Sequence, residues 1–198
     1  MSDHSIHVVA VVGSLHKSSS THAAVRHVAG ELAKLGVTVD IVDFDQTPLP
    51  LFNPDTSWKS AEFAALKERV DKADVFLLAT PDYHGSVSST LKNFLDHFWK
   101  EYAGRLFASI VISHDKGLTV TDQIRTVARQ CYAWSLPYAV VAVDRDDIKD
   151  GQVASDAFRQ RLEMMAHDIR TYGGVIAKQR TTDLSGTAPG FLARLRKL

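Results

Sequence analysis

The sequence predicts an α/β domain: a doubly wound, five-stranded parallel sheet with helices on both faces. Two short runs, the β-branched Ile6 to Val12 and the apolar Val75 to Thr80, read as strands buried on both faces of a parallel sheet. Stretches with apolar residues at helical spacing separate these runs, and strand–helix–strand units of this kind close as right-handed crossovers. The length, 198 residues, suits one domain at roughly 150 residues each, and a chain of this size buries about 70% of the surface its unfolded form exposes.

The first strand is Ile6 to Val12, ending at Gly13. Thr21 to Leu35 then places Ala24, Val25, Val28, Leu32 and Leu35 near helical spacing, with Gly36 as a stop signal. Thr38 to Phe44 is the second strand, Pro48, Pro50 and Pro54 mark a loop, and a helix is expected from about Ser60 to Lys72. Val75 to Thr80 is the third strand, stopped by Pro81, and the helix from Ser88 to Trp99 carries Leu91, Phe94, Leu95 and Phe98 on one face. Leu106 to Ser113 is the fourth strand, Thr119 to Trp134 a helix, Ala139 to Val143 the fifth strand, and Asp156 to Tyr172 a last helix closed by Gly173-Gly174. The domain is therefore expected over residues 1–174. The weakly patterned stretch 175–198 reads as a docking arm, a partner contact or a mobile tail.

Lysine plus arginine total 23, aspartate plus glutamate 23, and the formal charge is zero. Hydrophobic residues make up 45% and charged residues 23%, ordinary values for a soluble globular protein. Disorder, collagen-like repeats and nucleic-acid binding by bulk charge are thereby disfavoured. The single cysteine, Cys131, excludes an intrachain disulfide and a multi-thiolate metal site. Its neighbours suit a small buried apolar residue in a helix interior rather than a redox thiol. No apolar run approaches the ~18 residues of a membrane helix. The start, Met1-Ser2-Asp3-His4-Ser5, lacks the basic flank and apolar stretch of a signal peptide, so a cytoplasmic location is expected.

Sheets of this class bind ligands at the carboxyl ends of their strands, near the point where strand order reverses. The loop after the first strand, Gly13 to Thr21, is neither G-x-G-x-x-G nor G-x-x-x-x-G-K-[ST], and no G-x-S-x-G elbow occurs. What it offers is hydroxyls at a helix start, where unpaired N–H groups and roughly half a positive charge attract phosphate. Ser14, Ser18, Ser19, Ser20 and Thr21 supply the hydroxyls, with His16 and Lys17 as cations. The plainer reading of the same residues is a helix cap in a solvated loop.

After the third strand the chain reads Thr80-Pro81-Asp82-Tyr83-His84-Gly85-Ser86, then Ser88 to Asp96. Pro81, Tyr83, Ser86, Leu91, Lys92, Asn93 and Asp96 match P-x-Y-x-x-S/G followed by L-K-N/T-x-x-D, so this segment resembles the NAD(P)H-dependent FMN reductase family. Gly13, Ser14 and Ser19 fit that family's G-S-x-R-x-x-S loop, and Leu49-Pro50-Leu51-Phe52 its L-P-L-[FY] stretch. The resemblance spans about residues 6 to 143. It implies a flavodoxin-like fold of strand order 2-1-3-4-5, bound FMN, NADPH or NADH as donor, and free flavin, quinone, azo dye or metal oxyanion as small-molecule acceptor. It also implies that Ser14, His16, Ser19, Ser20 and Thr21 surround the FMN phosphate, and that Pro81, Asp82, Tyr83, His84, Gly85 and Ser86 hold the ring edge. His16 stands where the family has arginine, so either His16 or Lys17 neutralises the phosphate. In the loop Ser113 to Gly117 the family's glycines are mostly replaced, leaving His114 and Lys116 as flavin or nicotinamide contacts or as parts of a solvated turn.

No side chain is assigned as general acid or base, since the flavin carries the hydride chemistry. The nine histidines suggest no metal site: His22 and His27 are off the i, i+4 register of two ligands on one helix face, and His84, His97 and His114 lie in different elements. Lys92 and Asp96 are spaced to pair on their helix. The family's dimer contact lies at this helix, which makes Tyr83, Phe94, Phe98, Trp99 and Tyr102 candidates for a homodimer or homotetramer surface, with core packing the plainer reading of each phenylalanine. No nucleic acid or membrane is expected as partner. The alternative function is a flavodoxin-like electron carrier, whose loop would resemble T-x-T-G-x-T.

Overall fold

A computed structural model describes residues 6–197, with backbone only for Asp144, Arg145 and Lys197. Met1 to Ser5, read above for a leader, lie outside them. β1 (His7–Val12) is buried from Val8 to Val12 and runs parallel to β2 (Thr38–Asp43) on one side and β3 (Val75–Tyr83) on the other. β3 in turn pairs with β5 (Leu106–Ser113), whose residues are all buried. The edge strand comes in two pieces, β6 (Trp134–Ser135) and β7 (Val140–Val143), both parallel to β5. Pro137 between them has no N–H for the ladder, a local reason for the break. With this edge counted as one strand and the short antiparallel return after β3 set aside, the five parallel strands take the expected order 2-1-3-4-5.

Side chains alternate across the sheet and build two cores. Val8, Ala10 and Val12 face α1 (Ser20–Lys34) and the last helix, meeting Val28, Leu32, Leu162 and Ile169. Val9 and Val11 face the opposite layer of α2 (Ala61–Asp71), α3 (Ser89–His97) and α4 (Leu118–Gln130). There Phe76, Phe94, Phe98, Tyr102 and Phe107 form an aromatic cluster, with Phe76 and Tyr102 edge-to-face at 5.0 Å. Phe94, Phe98 and Tyr102 are at most 3% exposed. They therefore belong to the core rather than to a surface. Trp99 and Tyr83, at 64% and 55%, are exposed.

Four departures from the sequence reading have local causes. β3 passes through Pro81 to Tyr83 because β1 pairs only as far as Ala79, leaving that side of Pro81 without a ladder partner. It then turns back as β4 (Ser86–Val87) through His84 and Gly85, at φ 58° and 75°, the two left-handed residues of a type I′ hairpin. α4 ends at Gln130, four residues early, since Tyr132 adopts a left-handed φ of 58°. Cys131 is thus a half-buried helix cap rather than an interior residue, and burial pushes its thiol up. After a short turn, α5 (Asp144–Asp147), and a hairpin of β8 (Ile148–Lys149) and β9 (Gln152–Val153), comes α6 (Asp156–Ser185).

α6 does not stop at Gly173-Gly174. It crosses the expected boundary at 174 and continues to Ser185. The glycines serve close packing: a Cβ on Gly173 would lie 2.6 Å from Val75 Cγ2, and one on Gly174 3.3 Å from Ile6 Cδ1. The remainder of the expected tail folds back on the domain. Arg180 Nε donates to Ala103 O at 3.0 Å, Leu192 is 2% exposed, and Phe191 stacks on Tyr132 at 6.3 Å.

Candidate functional site

An open cleft of about 880 Å³ lies at the carboxyl ends of β1, β3 and β5. Ser14, His16, Lys17, Ser18, Ser19, Ser20 and Thr21 line it from the first loop and the start of α1, Pro81, Asp82 and Tyr83 from the end of β3, and Ser113 and His114 from the last residue of β5 and the one after it. Most of the residues singled out from the sequence therefore meet around one space. His84, Gly85 and Ser86 do not line it. They form the hairpin turn behind Tyr83. Lys116 borders a neighbouring depression of about 550 Å³, which His114 shares.

β1 reaches the cleft through Gly13, whose N–H donates to Ala79 O at 2.7 Å and whose carbonyl accepts from Ser88 Oγ at 2.6 Å. A Cβ there would sit 2.8 Å from Ala79 O and 2.9 Å from Ser88 Oγ, so only glycine lets the end of β1, β3 and the start of α3 come this close. Ser88 also receives Leu91 N–H at 3.1 Å as the cap of α3. Ser14 is 3% exposed, and its Oγ accepts from His16 N at 3.3 Å.

Ser19 caps α1, its Oγ accepting from His22 N at 3.2 Å. The same oxygen lies 2.7 Å from His22 Nδ1, and His22 Nε2 lies 3.0 Å from Asp43 Oδ2. His22 is 7% exposed. The sheet register creates this chain of contacts by setting Asp43 opposite Val12, the last residue of β1.

The hairpin turn is held from both sides. Asp82 accepts Gly85 N–H at 2.8 Å on one oxygen and Ser113 Oγ–H at 2.9 Å on the other. Gln123 of α4 accepts from Ser86 Oγ at 3.1 Å and Val87 N at 3.2 Å, and its amide donates to Gly85 O at 3.1 Å. Farther along, Asn93 ties α3 to the proline loop, accepting from Phe52 N at 2.8 Å and donating to Leu49 O at 3.2 Å and Pro50 O at 3.0 Å. Lys92 and Asp96 pair at 2.6 Å, as their spacing suggested.

The sequence reading passed over several groups of this cleft. Arg26 lines it, as do Ile148, Asp150, Gly151 and Gln152 of the β8–β9 hairpin. Asp150-Gly151 between two short extended pairs is a type I′ turn signal readable from sequence, and both residues have positive φ, 49° and 70°. Arg26 and the His22–Asp43 contact depend on tertiary placement. Among the described residues, His27, Glu31 and Glu163 bring possible metal-ligand atoms within 4.8 Å of one another, away from the cleft lining and with Glu31 bound to Lys34 at 2.7 Å.

Residues 6–147 match the sequence profile of the NADPH-dependent FMN reductase family. An FMN-dependent NADPH-azoreductase of Staphylococcus haemolyticus is 27% identical over 174 residues, covering 82% of this chain and 92% of the relative. One from Staphylococcus aureus is 26% identical over 148 residues, covering 71% and 78%. Among solved structures, an apo NADH:FMN oxidoreductase superposes with a TM-score of 0.71 at 16% identity over 85% of this chain and 90% of its own. The flavoenzyme NAD(P)H:(acceptor) oxidoreductase of Paracoccus denitrificans gives 0.68 at 21% identity over 88% and 98%. These two likenesses bear on the fold, which is flavodoxin-like. Because the family match covers residues 6–147, well over half of the chain, the chain belongs to the NADPH-dependent FMN reductase family and is an oxidoreductase that uses FMN and NADPH.

Proposed function

We propose that the cleft takes FMN with its phosphate at the start of α1 and its ring against the end of β3, and that electrons from NADPH pass on to small acceptors, azo compounds among them. The azo class is suggested by the staphylococcal relatives, which are azoreductases. The observation that carries the reading is the donor set. Five hydroxyl side chains between Ser14 and Thr21, with His16, Lys17 and Arg26, border a cleft whose carboxylates are those of Asp82 and Asp150. Asp82 is already engaged by Gly85 and Ser113. Such a set suits a dianion, and the volume of about 880 Å³ lies in the range of cofactor pockets, roughly 300–1,000 Å³.

Bound FMN supplies the hydride chemistry. The chain's part is to bind and orient. The start of α1 adds its dipole to the hydroxyls. Lys17 and Arg26 contribute permanent charge, which addresses the arginine missing at His16. Pro81, Asp82 and Tyr83 offer a rigid edge for the ring, with His114 at the far side. His84, Gly85 and Ser86 support that edge from behind, and Lys116 stands next to the neighbouring depression. No helix among the described residues is long and apolar enough to cross a membrane. A cytoplasmic homodimer or homotetramer belongs to the same reading, and sedimentation tests the oligomer.

The test is a flavin titration followed by turnover. The protein should quench FMN fluorescence on binding, then oxidise NADPH steadily when an azo dye or quinone is supplied. Failure to bind FMN, or FMN bound without NADPH oxidation in the presence of acceptors, would overturn the proposal.

A further inference from the structure

The contacts of Ser19, His22 and Asp43 contain a proton-counting problem. A serine hydroxyl has one hydrogen, and a neutral imidazole has one N–H. Asp43 is acceptor-only, so the imidazole N–H belongs on Nε2, facing Asp43 Oδ2 at 3.0 Å. Nδ1 is then a bare acceptor 2.7 Å from Ser19 Oγ, and the Ser19 hydrogen must point to it. In this state Ser19 has no hydrogen for a ligand. The opposite tautomer would set two acceptors against each other at Asp43. Protonated His22 donates from both nitrogens, to Ser19 Oγ and to Asp43, and the Ser19 hydrogen turns free into the cleft.

We propose that His22 is a proton-coupled positioning residue that takes up a proton as the anionic tail of FMN docks, releasing the Ser19 hydroxyl to donate to the phosphate. This rests on the FMN reading of the cleft and adds regulation to it. His22 is 7% exposed and touches Ser19, which lines the cleft, without itself being among the lining groups. Its surroundings contain groups of both signs. From β2 comes Asp43, itself fixed by Asp45 N at 3.1 Å and Gln46 Nε2 at 3.4 Å. Asp45 adds negative charge beyond it. His16 and Lys17 stand in the loop and Arg26 lies one helical turn along α1, while Asp82 and Asp150 border the cleft from β3 and the β8–β9 turn. Lys17 and Arg26 oppose a second cation. Asp43 and the arriving dianion favour it, and the dianion stands at the site only in the bound state, so protonation follows binding.

The sign is fixed by this linkage. If binding takes up a proton, FMN affinity falls as pH rises, by at most tenfold per unit for one proton. Second ionisation of the phosphate, near pH ~6, works in the opposite direction and is complete above about 7. His16 could give the same slope, so variants must separate the two. The expected result is an FMN dissociation constant that weakens from about pH 7 to 8.5, a slope kept in His16→Gln and lost in His22→Gln. Riboflavin, which has no phosphate, should show no such slope. Calorimetry of the His16→Gln protein in two buffers of different ionisation enthalpy should register net proton uptake with FMN at pH ~7, which covers the case of a misfolded His22→Gln. FMN binding with a flat pH profile and no proton uptake would overturn the coupling while leaving the FMN reading in place. A slope that survives His22→Gln would also overturn it. Absence of FMN binding at every pH would instead remove the FMN reading itself.

Discussion

In the β3–β4 turn nearly every polar group has a partner within the protein: Asp82 holds Gly85 and Ser113, and Gln123 holds Gly85, Ser86 and Val87. In the loop between β1 and α1, His16, Lys17 and Ser18 are exposed along the cleft, and Ser19 is the main internal tie. The two segments border the same cleft with different physical characters. A turn with its hydrogen bonds satisfied is stiff and can present a flat edge to a planar ring. A loop with exposed hydroxyls and cations keeps donors and positive charge free to meet an anion. Position along a sheet edge thus does not by itself make a loop a ligand site.

Breaking the receptor side should give the largest effect. If Ser19 donates to the phosphate as proposed, Ser19→Ala loses a hydrogen bond to a charged group, about 1.5–3 kcal/mol or roughly 10- to 150-fold in FMN affinity. It also removes the α1 cap, about 1 kcal/mol of stability. An unchanged FMN dissociation constant would take Ser19 out of the phosphate site.

Gly13→Ala attacks the place where both segments are anchored. The added methyl meets a backbone carbonyl at 2.8 Å, which cannot swing aside. Overpacking of this kind costs about 1–3 kcal/mol, read as a drop of several degrees in Tm, roughly 2–4 °C per kcal/mol for a chain of this size.

Loosening the stiff side should matter less for phosphate and more for the ring. Asp82→Asn replaces the carboxylate that receives Gly85 N–H and Ser113 Oγ–H with a neutral amide, worth about 1 kcal/mol of stability. Riboflavin and FMN affinities should fall by the same factor, since the altered contact lies away from the phosphate. A loss confined to FMN would contradict the division of labour.

The smallest effect is expected outside the cleft. Arg69 forks onto Asp40 at 2.8 and 2.7 Å, and this hydrogen-bonded guanidinium holds the Asp40 carboxyl below its ordinary value despite partial burial. A lowered folded value means the contribution is present above the unfolded pKa of about 4 and is lost as pH falls through the folded one. Asp40→Asn should therefore cost about 0.5–1 kcal/mol at neutral pH, lessen the acid loss of stability, and leave FMN affinity unchanged.

The sheet was legible because its central strands are short and apolar, so that Gly13 after β1 and the alternating helices mark out the order, while Pro81 proved to lie inside β3 rather than at its end. The interrupted edge at Pro137 and the helix running through Gly173-Gly174 were not, because local stop signals lose to tertiary packing against Val75 and Ile6. In the site, the hydroxyl-rich loop and the Pro81–Tyr83 edge follow from residue type at a known place in the fold. Two further groups were not found that way. His22 and Asp43 are 21 residues apart, and only the β1–β2 register joins them. Arg26 enters the cleft from a helix face that its spacing alone assigns to solvent.

Relative affinity for FMN and riboflavin tests the central claim most directly. If the start of α1 grips the phosphate, the unmutated protein should bind FMN at least about tenfold more tightly than riboflavin, and Ser19→Ala should erase most of that difference. Equal affinity for the two flavins in the unmutated protein would contradict it.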